Sequence, residues 1–348
     1  MSGGCLSRRA ARAPAPVAVG ARSAASRRSV AIAAACAAFA AWGAPAAAAT
    51  AWPAQPIRLV VPFAPGGSTD LAARLVAQGL GERLGQPIVV ENRPGAGATT
   101  GSALVAAAAP DGHTLLMSNV ASHGVAPALY ANLRYDPVRD FTHVGLITSN
   151  PSVFVANPAF AARDLSDVAR LSKEAARGLD VASSGSGSSN HLLIVQFSQA
   201  TGARLNHVPY RGAGPAMTDV IAGVVPVMSD SLPSAAGHIR AGSVRALGLS
   251  AAERHPAFPE LRTFREQGVD LVSTSWFGLS GPAGLPAPVV ARLSRELNAV
   301  LAAPATRDRL AELGGQAGRL SPEEYAAFVR SEVARWGPVV RASGATVE

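Results

Sequence analysis

Cysteine is almost absent from this 348-residue chain, and the two present, Cys5 and Cys36, both lie within the first 49 residues. Without that segment no disulfide, thiolate metal site or cysteine nucleophile is possible, which suits an oxidising compartment. Aromatic residues make up only 5% of the sequence, whereas 34 glycines and 26 prolines forecast many tight turns. No apolar run approaches the roughly 20 residues that a membrane-spanning helix needs. Chemistry-bearing motifs are missing as well. There is no G-x-S-x-G elbow for a hydrolase and no G-x-x-x-x-G-K-[ST] loop for a nucleotide phosphate. The seven histidines form no H-E-x-x-H or i, i+4 pair that would hold zinc. Gly95-Ala96-Gly97-Ala98-Thr99-Thr100-Gly101 is too long for G-x-G-x-x-G and follows the second strand of its series, so it reads as a packing turn. No metal or cofactor is expected.

The chain carries 31 basic and 23 acidic residues, a formal charge of +8, but the excess is local. Arg8, Arg9, Arg12, Arg22, Arg27 and Arg28 stand in a leader without acids, ahead of the apolar run Val30 to Trp42 and the small residues Ala46 to Ala49. That order is a signal peptide, with cleavage after Ala49 or after Ala51. Ser26-Arg27-Arg28-Ser29-Val30 partly resembles a twin-arginine signal, so the export route stays open. Cys36 sits inside the apolar run with Ala33 three residues before it, which favours simple cleavage over lipid attachment. Setting aside six of the 31 basic residues leaves 25 against 23 acids. No basic stripe remains for nucleic acid.

The remainder, near 300 residues at about 150 per domain, suggests two domains. Its repeating unit is a short β-branched strand, a turn of Gly, Ser or Pro, and an alanine-leucine helix. One series runs through strands at 57–61, 88–91 and 114–117. A second follows Asn150-Pro151, with strands at 153–155, 179–182, 207–210, 224–228 and 244–249. Alternation of this kind predicts an α/β fold with mainly parallel sheets covered by helices. The closing helices, at 288–301, 305–313 and after Ser321-Pro322-Glu323-Glu324, have no sheet of their own and are expected to pack back on the first domain. The chain then crosses between domains near Asn150 and again near Thr274.

Two strand-to-helix loops stand out. Pro62-Phe63-Ala64-Pro65-Gly66-Gly67-Ser68-Thr69-Asp70 opens a helix whose first N–H groups can face a ligand, and a helix start favours a carboxylate or phosphate. Read alone, it is first an ordinary turn capped by Ser68 and Asp70. Val181 to Asn190 repeats the device with Ser183, Ser184, Gly185, Ser186, Gly187, Ser188 and Ser189. His191 reads as a cap or surface residue. Asp230 would meet a ligand amine or hydroxyl, or cap the next helix.

These segments together resemble the substrate-binding proteins of tripartite tricarboxylate transporters, the Bug-type extracytoplasmic receptors. The likeness runs from about Trp52 to the C-terminus. It rests on residues 56–67 (PIRLVVPFAPGG), 91–97 (ENRPGAG), 110–115 (PDGHTL), 207–212 (HVPYRG) and 238–242 (HIRAG), in that order. The resemblance implies a type II periplasmic binding-protein fold with two lobes and two crossovers, 50–150 plus 275–348 forming lobe 1 and 151–274 lobe 2. It implies a ligand carboxylate held between Phe63, Ala64, Gly66, Gly67, Ser68, Thr69 and Asp70 on one side and Ser184, Gly185, Gly187 and Ser188 on the other, partly through water. Ser118, Asn119 and Ser122 would line the variable end, with Tyr210 and Asp230 completing the set. Val227-Met228-Ser229-Asp230 lacks the aromatic that commonly precedes this aspartate, which implies a wider pocket there.

The expected function is therefore a periplasmic monomer that closes on a small carboxylate and delivers it to membrane permease subunits. The rivals are a sensor receptor that presents ligand to a signalling partner and an α/β hydrolase or dehydrogenase. Trp276, beside the second crossover, is expected to report closure by its fluorescence.

Overall fold

The computed structural model describes residues 52–343 and, ahead of them, Ala15 alone; the predicted leader otherwise lies outside the described residues. In chain order the first elements are β1 (Ile57–Val61), α1 (Ser68–Leu84), β2 (Ile88–Asn92), α2 (Thr99–Ala106), β3 (Thr114–Asn119), α3 (Ala126–Leu129) and β4 (Phe141–Ala156). There follow α4 (Leu165–Glu174), β5 (Leu179–Ser183), α5 (Ser189–Thr201), β6 (Leu205–Pro209), α6 (Ala213–Ile221), β7 (Val227–Ser231), α7 (Leu232–Arg240) and β8 (Arg245–Leu249). The last are β9 (Thr274–Pro282), α8 (Ala287–Ala302), α9 (Pro304–Glu312), β10 (Gln316–Ala317) and α10 (Pro322–Ser343).

Each lobe has a parallel core of three strands. β1 lies between β2 and β3, and β5 lies between β6 and β7. The inner strands β1, β3, β5 and β7 are largely buried because helices cover both sheet faces, as parallel strands require, whereas the outer strands β2 and β6 stay partly exposed. Around these cores the sheets turn antiparallel: β9 pairs with β3, and β4 pairs with β9 over Phe141–Pro151. β4 then leaves β9 and continues from Ser152 to Ala156 between β7 and β8. One strand of 16 residues thus belongs to both lobes.

The sequence reading foresaw only the end of β4, at 153–155. Pro151 explains the rest, since a proline in a run argues against a central strand. Here it sits where β4 changes partners, a place that tolerates a missing N–H donor.

Lobe 1 is filled where Ala73, Val76 and Leu80 of α1 meet Ile57, Leu59 and Val61 of β1 and Leu293, Leu297 and Val300 of α8. Burying each such leucine or valine contributes about 1.5–3 kcal/mol. The closing helices do pack on this lobe, and α10 also reaches α5: Leu192 joins its apolar cluster, and Gln199 Nε2 donates to the Ala342 carbonyl at 3.1 Å.

Trp276 stands on β9, two residues past Thr274, but its side chain turns away from the cleft. Side chains alternate along β9, so Ser275 and Phe277 face the cleft while Trp276 faces α10. There its indole N–H donates to Glu332 Oε2 at 2.8 Å, and the Trp336 indole donates to the same oxygen at 2.9 Å. Glu332 is only 4% exposed, so two buried donors depend on one carboxylate. Glu332→Ala is expected to orphan both indoles and to lower stability by about 3 kcal/mol. Urea denaturation measures this, and a loss below about 1 kcal/mol would show that the two hydrogen bonds are dispensable.

Candidate functional site

The loop after β1 is folded by its own helix. Asp70, in the first turn of α1, accepts from the Gly66 amide at 3.1 Å and from Arg74 Nε at 3.0 Å. Asn92, at the end of β2, donates through Nδ2 to Asp70 Oδ1 and to the Phe63 carbonyl, each at 3.0 Å. Burial works against the charge on Asp70, but the hydrogen bonds from Arg74, Gly66 and Asn92 outweigh it and hold its pKa below the ordinary value. With the loop pinned, Gly67 precedes a helix start that no side chain caps. Its first amides have no carbonyl four residues back, and Gly67, Ser68 and Thr69 line the cleft.

The second loop is braced by two histidines. The Gly187 amide donates to His191 Nδ1 at 3.1 Å, and the His191 amide donates to Ser188 Oγ at 3.1 Å. His207, on β6, stacks on His191 with ring centroids 3.9 Å apart and lies 2.6 Å from Ser183 Oγ through Nε2. His191 is thus a buried brace, not a surface residue. Burial lowers its pKa to about 4, and burial together with His191 lowers that of His207 to about 3.

Between the loops lies a cavity of about 30 Å³, room for about two or three waters at roughly 10–15 Å³ each. Phe63, Gly67, Ser68, Thr69, Asn119, Ser184, Ser188 and Asp230 line it, as expected from sequence. Ser189 of the second loop lines it as well, and Val120, Ala121, Asn190, Ala213, Ser231, Ser275 and Phe277 line it too and were not foreseen. Asn190 ends the serine-glycine run and Ser231 follows Asp230, so both were within reach. Ser275 and Phe277 required knowing which face of β9 meets the cleft.

The other expected residues do different work. Ser118 points through the sheet to Ser280 Oγ at 2.8 Å and Tyr325 Oη at 2.9 Å, because its neighbour Asn119 takes the cavity side. Ser122 is buried against Asn119 and His123. Tyr210 donates to Asp219 Oδ2 at 2.7 Å on the far side of its loop. The Gly185 and Gly187 amides are used by Ser183 and His191. Ala64, Gly66 and Asp70 shape the first loop from outside the lining. Met228 and Ser229 do not line the cavity.

The lobes meet along a seam of main chain. The Ala64 amide donates to the Arg211 carbonyl at 3.0 Å. A Cβ on Gly214 would lie 2.3 Å from the Pro65 carbonyl oxygen, and a Cβ on Gly67 would lie 3.3 Å from the Ala213 Cβ. Glycine is needed at Gly214 because only a residue without a side chain lets the two backbones approach so closely.

Helices α1, α5, α6 and α7 all begin at this cavity, through Ser68, Ser189, Ala213 and Ser231. Its lining contains no lysine, arginine or histidine, and one ionisable group, Asp230. Asp230 accepts from the Ser231 amide and from Ser234 Oγ, each at 2.7 Å. Burial raises its pKa to about 7 despite these bonds. Among the described residues no group of three or more His, Cys, Asp or Glu could hold a metal ion, and no helix is long and apolar enough to cross a membrane.

Two lobes joined by crossover strands, with helix starts converging on the cleft, define a two-lobed solute-binding protein. The family model of the tripartite tricarboxylate transporter family receptor matches residues 72–345. Protein BugT of Bordetella pertussis is 36% identical over 299 residues, covering 85% of this chain and 92% of the relative. Among solved structures, MatC from Rhodopseudomonas palustris with bound malate is 38% identical with a TM-score of 0.79, covering 83% of this chain and all of that one. An R. palustris protein with adipate is 32% identical with a TM-score of 0.82, covering 85% of this chain and all of that one. The chain belongs to the tripartite tricarboxylate transporter receptor family, of the Bug type.

Asp230 carries a prediction with a definite sign. Its folded pKa, about 7, lies above the ordinary aspartate value of 3.8, so the native state retains a proton that the unfolded chain releases. Asp230 therefore costs stability progressively as pH rises from about 4 to about 7. Asp230→Asn should gain in melting temperature over the parent between pH 5 and pH 8, and a difference that stays constant across that range would contradict the buried, protonatable carboxyl.

Proposed function

We propose that this chain is an exported periplasmic receptor that encloses one small carboxylate between its lobes, performs no chemistry on it, and presents it to the permease subunits of a tripartite transporter. It works as a monomer without a cofactor. Lobe 1 comprises residues 50–150 and 275–348, and lobe 2 comprises residues 151–274.

The observation that carries this reading is a cavity built from four helix starts without a basic side chain. A helix start contributes about 0.3–1 kcal/mol to an anion at an exposed site and up to about 2 when partly buried. Several converging starts can hold one carboxylate with partial charges alone. The hydroxyls of Ser68, Thr69, Ser184, Ser188 and Ser189 add donors, and Phe63 and Phe277 supply apolar walls for a carbon skeleton. The relatives with malate and adipate support a carboxylate as the ligand class. Asp70 and the two stacked histidines hold the loops, and closure around the ligand excludes water and strengthens each polar contact.

A thermal-shift screen of the mature protein against mono- and dicarboxylates tests the reading, since ligand at 100 times its dissociation constant adds about 2.7 kcal/mol. At least one carboxylate should raise the melting temperature. Gly214→Ala should abolish that rise while the unliganded melting temperature stays unchanged, because the atoms nearest its new Cβ belong to the opposite loop, Pro65 and Gly66. A full panel without a shift, or a Gly214→Ala variant with the parent's response, would count against it.

A further inference from the structure

Helix α7 lacks a cap of its own. The side chain of its N-cap residue, Ser231, makes no capping hydrogen bond and lies instead 3.1 Å from Ser275 Oγ. The amide that a cap would serve, that of Ser234, donates to Ser68 Oγ at 3.0 Å, and Ser68 belongs to the loop on the other lobe. The Ser68 hydroxyl in turn donates to Ser234 Oγ at 2.9 Å, and Ser234 Oγ lies 2.7 Å from Asp230 Oδ2 and 2.9 Å from the Ser231 carbonyl. Asp230, buried beneath, orients the Ser234 hydroxyl.

We propose that Ser68 caps α7 in trans, so that the first lobe completes the second lobe's helix only when the cleft is shut, and that this cap sets how long the receptor stays closed. The inference rests on the clam-shell reading above. In the open form the Ser234 amide and Ser68 Oγ both face water. In the closed form each satisfies the other across the cleft, next to the Ala64 to Arg211 bond. The cap belongs to closure and not to ligand chemistry, since both partners are protein atoms. It makes Ser68 a positioning residue in addition to a lining one, and gives Ser234, which does not line the cavity, a part in retention.

The absence of cysteine beyond Cys36 makes the test direct. Spin labels at Gln78→Cys on α1 and Thr218→Cys on α6, both exposed positions, report the distance between lobes by pulsed electron resonance. With no carboxylate added, Ser68→Ala should lower the ratio of closed to open molecules about fivefold, the equivalent of a typical capping interaction. Ser68→Thr, which keeps the hydroxyl, should restore it. For malate, or any carboxylate that closes the parent, Ser68→Ala should also raise the dissociation rate. An unchanged closed fraction in Ser68→Ala, or a loss that Ser68→Thr does not restore, overturns the cap. If instead no carboxylate moves the distance in the parent, the proposed function fails while the cap is still judged from the samples without ligand.

Discussion

The cleft depends on the main-chain amides of helix starts, which have no carbonyl four residues back to satisfy them. Four helices from two lobes begin at one small cavity, and no cationic side chain joins them there. A lysine or arginine would bind an anion at any time, with the cleft open or shut. In the proposed receptor, partial charges spread over opposite lobes act together only when the lobes meet, which would tie affinity to closure. The same dependence explains why the loops are so heavily braced. Asp70 and Asn92 pin the first, the His191 and His207 pair pins the second, and amides that moved freely would lose their aim.

The braces carry their own electrostatic signature. The histidines are neutral because they are buried and because one ring nitrogen must accept from the Gly187 amide. Asp70 stays ionised because three donors surround it. Asp230 lies at the balance point, with two donors against complete burial. Each of the three solves the cost of burying a polar group differently, by neutrality, by saturation with donors or by holding a proton.

Much of this was legible along the chain wherever structure is local. The strand, glycine turn and helix at 57–84 show themselves within one window, and so does the serine-glycine run before α5. What could not be read is what depends on distant partners. Nothing near Pro151 says that β4 continues through it, because the reason is a change of neighbours from β9 to β7 and β8. Ser118 and Asn119 are adjacent and both polar, and which one faces the cavity follows from the pleat set by β9. Ser234 shows no local sign of its role, since its partner lies 166 residues earlier in the chain. His191 was misjudged because its stacking partner, His207, comes from strand β6, beyond the end of its own helix.

The most direct test is an amide-resolved NMR titration of the mature protein with a carboxylate that it binds. The account predicts that the largest amide proton shifts fall on Gly67, Ser68 and Thr69 in one lobe and on Ser189 and Asn190 in the other, saturating together. Shifts confined to one lobe, or centred on side-chain resonances of arginine or lysine elsewhere, would contradict it.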